Sequence, residues 1–513
     1  MSVTAAAAPA PVVSTTRRAL IMAPVLLSTT LFVLNQTNVV VALPHMQGTF
    51  SATRDQIAWV VTSYLVAMTI TTASAGWFGN RFGRKRVYLA SVAMFGLSSL
   101  LCAWAPSIEV EVAFRLLQGI SGGPIMPLSQ AVILDAYPRE RHGSALAFWG
   151  IGVTLGPVLG PIIGGVITEE YSWPWVFYFN VPFSLVVFLG IWAFVPKGPK
   201  VEARRFDWYG FIALSLALAA FQLVLNRGER LDWFDSTEIV IETGVAALFL
   251  YLLVVQTITA RHPFLNPAIF RDRNVLLGLI FIFGWAITSQ TPLFLLSLRL
   301  QGVDELPVAT AGLLMSPRGL GGVLSMILVG RLVVRFNPKA LILVGLSCIA
   351  LGTRIMASWP FDADLWQVGY AGFIHGFGTS FTYVSLTVIA FATLAPHLRN
   401  EAVSLYSLCI NIGTGVGIAS AVIVLADGVQ VSHEVLAANI TYFHELFRDH
   451  LLPQAWSFSQ MKGLGAVERV VLLQATAIAF NNAFHLIMIV ALSMVPFVVL
   501  LTAPKRAKKA GTT

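Results

Sequence analysis

Apolar stretches of about 20 residues recur along this chain from near residue 19 to near residue 503, and short polar segments separate most of them. A helix needs about 20 apolar residues to cross the hydrocarbon of a bilayer, and backbone in lipid must satisfy its own hydrogen bonds. This pattern excludes most folds and leaves helices threaded repeatedly through a membrane. Composition agrees, with 56% hydrophobic and 11% charged residues, against about a quarter charged in soluble domains. The spans read as 19–43, 56–78, 87–105, 110–134, 144–167, 176–195, 207–226, 237–259, 274–298, 309–333, 338–357, 367–394, 402–426 and 483–503, fourteen in all. An even count puts both termini on one side.

Basic residues orient the chain. One set of loops and tails carries 23 Lys and Arg, including Arg17, Arg18, Arg81, Arg84, Lys85, Arg86 and the cluster at 505–509, whereas the other set carries 7. Cytoplasmic loops hold the excess of cations. The expectation is a multi-pass protein of a bacterial-type inner (plasma) membrane with both termini cytoplasmic. The net charge of +8 then reflects loop topology, and no nucleic acid is expected as partner. Cys102, Cys348 and Cys409 fall inside apolar spans without metal-ligand spacing. With no nucleotide loop, metal cluster or nucleophile motif, neither an enzyme nor a cofactor is expected.

Between spans two and three, Gly76-Trp77-Phe78-Gly79-Asn80-Arg81-Phe82-Gly83-Arg84-Lys85-Arg86 packs four cations into a tight turn. It resembles the G-x-x-x-D-R-x-G-R-[RK] loop signature of the major facilitator superfamily, with Asn80 in the acidic position. After span ten, Gly330-Arg331-Leu332-Val333-Val334-Arg335-Phe336-Asn337-Pro338-Lys339 reads as a degraded second copy, aligning Arg335 with Arg81 and Lys339 with Lys85. Duplicated halves with a site at their interface are a transporter architecture. The expected fold is an all-α membrane protein with the major facilitator fold: two pseudo-symmetric six-helix bundles plus two inserted transmembrane helices. The division is 1–18 disordered cytoplasmic tail, 19–205 N-terminal bundle, 206–262 inserted pair, 263–503 C-terminal bundle with periplasmic loop 427–482, and 504–513 basic cytoplasmic tail. The loop 427–482 reads as an amphipathic helix or hairpin on the outer surface, its last part extending the final span. A lid-like connector is one reading. A docking surface for a periplasmic membrane-fusion adaptor protein is the other.

Further motifs carry mechanism. Gly152, Gly156, Gly160 and Gly164 share one face of span five, with Pro157 and Pro161 beside them. Small residues allow close helix approach, and proline permits a bend. The run resembles the fifth-helix motif of facilitator-superfamily exporters. Arg115-Leu116-Leu117-Gln118-Gly119 resembles the R-x-x-Q-G motif of span four. Leu34 to Pro44, Trp59 to Val66, Phe177 to Pro182, Phe206-Asp207-Trp208-x-Gly210, Leu225 to Gly228 and Pro317-Arg318-Gly319 together resemble the fourteen-span drug:proton antiporters of the EmrB/QacA type, over about residues 19–500.

The chain departs from that pattern where the family keeps a first-helix aspartate, here Asn35, and the loop aspartate, here Asn80. Phe480-Asn481-Asn482-Ala483-Phe484 stands for Y-N-D-x-F, and Ile410-Asn411 for R-N. The acids nearest the membrane read as Asp135, Glu238, Glu242 and Asp427, all near span ends, with none in the middle of a span. Asparagine cannot titrate, so proton coupling passes in expectation to His375, whose imidazole titrates near neutrality, together with Arg115. A neutral, hydrogen-bonded His375 is the plainer alternative. Arg115 is expected to snorkel to the outer interface, Arg354 likewise, and Arg318 to face the bundle interior. The expected substrate contacts are Asn35, Asn38, Gln118, Trp285, Gln290, Arg318, His375 and Asn411, with Thr154, Ser289 and Thr379 nearby. The expected gating residues are Gly76, Arg81, Gly83, Arg84, Gly156, Pro157, Gly160, Pro161 and Gly164.

This reading implies a secondary active transporter exporting amphipathic molecules. With no acid placed in the membrane and arginines present, neutral or anionic substrates suit it better than cations. Proton antiport is what the resemblance implies. The alternatives are an uncoupled facilitator or a specific metabolite or lipid carrier, and a membrane sensor or assembly subunit that does not transport.

Overall fold

A computed structural model describes residues 15–138, 141–196, 206–360, 364–395, 398–440 and 461–502. Among them the regular elements are helices. In the N-terminal half these are α1 (Thr15–Phe50), α2 (Arg54–Phe78), α3 (Arg84–Ala103), α4 (Ile108–Gly122), α5 (Ile125–Ala136), α6 (His142–Glu170), α7 (Pro174–Tyr178) and α8 (Asn180–Phe194). Next come α9 (Trp208–Arg227) and α10 (Thr237–Thr259). The C-terminal half holds α11 (Pro267–Arg271), α12 (Arg273–Gly302), α13 (Val308–Arg335), α14 (Pro338–Met356), α15 (Leu365–Ala390), α16 (Arg399–Asn439) and α17 (Met461–Met494). The first helix starts at Thr15, earlier than the expected end of the tail at residue 18. Most of both expected tails lies outside the described residues.

Among the described residues, twelve stretches are long and apolar enough to cross a membrane. One of them, Gln56–Ala103, runs through α2 and α3 together. Between those helices Gly79–Gly83 forms a π-helical turn, and Gly83 has φ +90°. Only glycine takes that backbone shape without strain. The expected fourth span, 110–134, is not continuous: it breaks at Gly122-Gly123-Pro124 into α4 and α5. Proline cannot continue the hydrogen-bond ladder. Threonines of α2 satisfy the carbonyls near the break, Thr72 Oγ1 donating to Gly123 at 3.0 Å and Thr71 Oγ1 to Gly119 at 3.3 Å.

The two halves repeat one packing scheme. α1 lies against α6 and α8, α2 against α4, and α3 against α4 and α8. Likewise α12 lies against α16 and α17, α13 against α15, and α14 against α15 and α17. The loop alignment is visible in atoms: Lys85 Nζ donates to the Trp192 carbonyl at 2.7 Å, and Lys339 Nζ to the Val499 carbonyl at 3.0 Å. Each lysine ties the third helix of its half to the end of the last. The copies differ in the turn itself, because Asn337 caps α14 through its side chain where the first copy uses Gly83.

The halves meet where α6 packs on α13 and α2 on α16, and α9 packs on both α2 and α16. Asp207 anchors that inserted helix by accepting from Gly210 N at 3.0 Å, Gln256 Nε2 at 2.9 Å and Phe264 N at 3.0 Å. The expected outer segment 427–482 divides. α16 continues to Asn439 and α17 begins at Met461, so both flanks extend spans, with His433 bridging to Glu468 at 2.8 Å. The stretch 441–460, on which the surface hairpin and adaptor readings fall, lies outside the described residues.

The buried core is asymmetric along the membrane normal. At the end carrying the basic loops, one continuous cluster joins both halves, including Ile133, Leu146 and Trp149 from one and Met326, Tyr383 and Tyr406 from the other. At the far end the core splits in two, one part around Val39, Val60 and Phe177, the other around Leu296, Trp359 and Phe484. The molecule is therefore closed between its halves at the basic end.

Candidate functional site

Beyond that closure the halves enclose a cavity of about 240 Å³. Trp149 and Tyr383 stack at the level of the shared core, with ring centroids 6.2 Å apart, and both line the cavity. Gln130 Nε2 donates to the Tyr383 hydroxyl at 3.3 Å, and Trp149 Nε1 to Ser129 at 3.0 Å, so polar bonds between α5, α6 and α15 hold this floor. Apolar walls come from Phe32, Met68, Met126, Met315 and Met326, and flexible thioethers adapt to varied shapes.

The sequence-derived contacts fall into two groups. Trp285, Gln290, Arg318 and Asn411 line the cavity, as do Thr154, Ser289 and Thr379. Trp285 is fixed by its Nε1 donating to the Thr379 carbonyl at 2.9 Å. Arg318 donates to the Ser289 carbonyl and, through Nε, to His375 Nδ1 at 3.3 Å. Among the described residues it has no carboxylate partner, so this wall presents uncompensated positive charge.

His375, Asn35, Asn38 and Gln118 lie outside the lining, fully buried. The His375 ring is used on both sides, because Nε2 meets the Thr288 carbonyl at 3.0 Å while Nδ1 accepts from Arg318. That pairing selects the neutral tautomer with the proton on Nε2, and a second proton would face a guanidinium. Asn35 Oδ1 accepts from Asn180 Nδ2 at 2.7 Å, tying α1 to α8. Asn38 packs on Gly164, where an added Cβ would lie 3.0 Å from the asparagine Cα. The whole glycine row of α6 faces α1 in this way, with Gly156 against Val33 and Gly160 against Thr37. The prolines take the other face: Pro157 lines the cavity, and Pro161 approaches Gly312 of α13.

Sequence reasoning missed Gln36, Gln222 and Asn226, which line the cavity. The latter two belong to α9, so the inserted pair contributes wall. The polar-amide spacing of 222 and 226 on one helical face was the available signal.

Two arginines stand differently from expectation. Arg115 does not snorkel; it is 1% exposed. Its Nε donates to the Val60 carbonyl at 3.0 Å, another nitrogen donates to Gln118, and the guanidinium lies 4.2 Å from the Tyr64 ring centre. Close packing makes this possible, since a Cβ on Gly119 would come within 2.9 Å of Ala67 Cβ on α2. Arg299, read from the sequence as a loop cation, is also 1% exposed. Arg354 is exposed near the end of α14, as expected. The survey of acids is corrected as well. Glu111, inside α4, is fully buried, one helical turn before Arg115.

The expected gating residues of the α2–α3 turn lie at the basic end. Arg84 pairs with Asp135, Arg399 approaches the same carboxylate at 3.6 Å, and Asn80 Nδ2 donates to Glu401 Oε1 at 3.5 Å. These contacts fasten the α2–α3 turn and the end of α5 to the start of α16, half to half. The loop departure has a physical sense, because an aspartate at position 80 would set two carboxylates against each other. Gly76 lies in the last turn of α2, just before the π-helical turn, and Arg81 lies within it.

Two pseudo-symmetric helical bundles with a cavity at their interface, closed at one end, define a membrane transporter. The sequence profile of the Major Facilitator Superfamily matches residues 25–418. The chain is 32% identical over 423 residues to the Multidrug export protein EmrB of Haemophilus influenzae, covering 82% of this chain and 83% of that one. It is 29% identical over 477 residues to the Fatty acid resistance protein FarB of Neisseria gonorrhoeae, covering 92% and 94%. In fold it is similar to the crystal structure of the human organic anion transporter MFSD10, with TM-score 0.59 and 15% identity over 92% of this chain and 99% of that one. The chain belongs to the Major Facilitator Superfamily, to its EmrB type; it is a multi-pass membrane protein and a secondary transporter.

Proposed function

We propose that this protein exports amphipathic small molecules, neutral or anionic, from the cytoplasm, in keeping with the multidrug export and fatty acid resistance in the names of its relatives, and that proton antiport drives it. The carrying observation is the interfacial cavity with Arg318 in its wall. Flexible apolar side chains accept a hydrophobic body, and an arginine without a carboxylate partner attracts a negative head. Trp285, Gln290 and Asn411 orient the molecule, and His375 holds Arg318 in place from behind. In this reading the chain crosses an inner membrane fourteen times, with α2 and α3 counted separately and α4–α5 as one crossing. The basic end is cytoplasmic, and the gate of Asn80, Arg84, Asp135, Arg399 and Glu401 is shut on that side. Alternating access rocks the halves about the α6–α13 and α2–α16 seams, with Gly156, Pro157, Gly160, Pro161 and Gly164 shaping α6 for it. An outer adaptor would dock on the far-face extensions of α16 and α17.

The test uses 2-naphthalenesulfonate, a permanent amphipathic anion, in inside-out proteoliposomes. With an acidic lumen the protein is expected to concentrate the probe inside, and an uncoupler is expected to abolish this. Equilibration without concentration would leave a facilitator. No movement under any gradient would leave a non-transporting protein. Labelling of single cysteines near Arg84 from the far face would reverse the orientation.

A further inference from the structure

The antiport reading leaves open which group carries the proton, since Asn35 cannot. The N-terminal half contains a carboxylate in an unusual setting. Glu111 is fully buried on α4, and among the described residues its side-chain oxygens meet no N–H or O–H donor, only the weakly donating Cys102 thiol beside them. Its neighbour Cys102 belongs to the far-end apolar core, together with Val60, Ile108, Trp173 and Phe177. Its charged neighbour is Arg115 on its own helix, and its titratable neighbour is the Cys102 thiol of α3. From α2, Tyr64 faces the same guanidinium. From α7, Phe177 covers it, with its ring centre 5.8 Å away.

An ionised carboxylate with no more than a weak thiol donor in such a place is strongly disfavoured unless a cation compensates it. Arg115 is near but committed, with donors directed at Val60 and Gln118. The site can therefore exist in two forms. In one, a protonated Glu111 is neutral and Arg115 keeps its present bonds. In the other, an ionised Glu111 draws the guanidinium toward itself. The second form pulls on groups that reach the cavity. The Tyr64 hydroxyl, buried without a geometric partner, lies beside Gln36 and Asn35, and Gln36 lines the cavity. Movement of Arg115 is thereby transmitted to the ligand wall through Tyr64.

We propose that Glu111 is the proton-carrying residue of this transporter, with Arg115 as the cation that switches between it and Gln118. An O–H bond forms on the Glu111 carboxylate as an O–H bond of hydronium from the far face breaks, and on release that carboxyl O–H bond breaks as a water on the basic side takes the proton. The proposal rests on the antiport reading and deepens it.

The test compares wild type, Glu111→Gln and Glu111→Asp in the same inside-out proteoliposomes with 2-naphthalenesulfonate. Two quantities are read: accumulation driven by an acidic lumen, and gradient-free exchange of labelled for unlabelled probe. Glu111→Gln is expected to keep exchange within about twofold and lose accumulation at least tenfold, and Glu111→Asp to recover part of it. If wild type and Glu111→Gln accumulate alike, the assignment falls and antiport stands. If wild type itself does not accumulate, antiport falls and takes the assignment with it. If Glu111→Gln loses exchange too, infrared spectra of the wild type decide. A carboxylic C=O band that fades as pH rises, and is missing from probe-binding Glu111→Gln in detergent, supports the proposal. A spectrum without such a band overturns it.

Discussion

Two arginines are buried equally in this membrane protein, and they are built differently. Arg299 in the C-terminal half donates to Asn481 Oδ1 at 2.9 Å and to the Pro360 carbonyl at 2.9 Å, and lies 5.2 Å from the Trp359 ring centre. Asn481 in turn donates to the Trp359 carbonyl at 2.9 Å. The hydrogen-bond partners of Arg299 are neutral and its acidic neighbour, Asp304, is only half-buried, so the group clamps α12 to α17 and to the end of α14. Arg115 in the N-terminal half has similar bonds, yet a fully buried carboxylate with no more than a thiol beside it waits one turn away. The difference teaches that burial of a cation does not define its role. A cation held by neutral acceptors is a rivet, whereas one with an unsatisfied acid beside it has a second place to go.

The comparison can be broken by substitution. Arg115→Ala strands Glu111 in apolar surroundings, and removing one partner of a buried charge pair costs about 3–5 kcal/mol. Thermal unfolding in detergent should show that loss at neutral pH and a smaller one in acid, where a proton neutralises Glu111. Equal losses at both pH values would make Arg115 another rivet. Arg318→Ala removes the arginine that borders the cavity, and charge-assisted hydrogen bonds contribute about 1.5–3 kcal/mol. Binding of 2-naphthalenesulfonate followed by tryptophan fluorescence should weaken about tenfold to hundredfold, with stability little changed.

Asn481→Ala leaves Arg299 with an unsatisfied donor, which costs about 1–3 kcal/mol. The unfolding shift should be the same from acid to neutral pH, sharpening the contrast with Arg115. The smallest effect is expected at the basic face. Asn80→Asp sets a carboxylate against Glu401, and interactions of such part-exposed charges amount to about 0.2–1 kcal/mol. In a cysteine-free background, labelling of Ser380→Cys in the cavity from the basic side should speed up by at most about fivefold, and salt should reduce the effect.

Much of this architecture was legible beforehand. Apolar runs of membrane length announced helices, and the Gly76 and Gly330 loops announced two halves, whose register the Lys85 and Lys339 contacts reproduce. The break in the fourth span was written as Gly122-Gly123-Pro124, but hydropathy alone runs through it. The site was only partly legible. Helical spacing says that Asn35 and Asn38 are near each other, not whether their side of α1 meets the cavity or α6 and α8. Glu111 sits one turn inside its helix and was passed over when the acids nearest the membrane were named, because position in a span does not show burial. Arg299 was misplaced for the same reason, because charge was taken to mark a loop. Gln222 and Asn226 were overlooked because the inserted pair was set aside as an addition to the bundles.

The central claim is that the halves rock apart at the basic end to load the cavity. Cysteines introduced as Asn80→Cys and Glu401→Cys, with Cys102, Cys348 and Cys409 replaced, test it most directly. The two side chains they replace approach to 3.5 Å across the seam. Oxidising the pair should stop 2-naphthalenesulfonate transport in proteoliposomes, and reduction should restore it. Full-rate transport through the cross-linked protein would contradict the account.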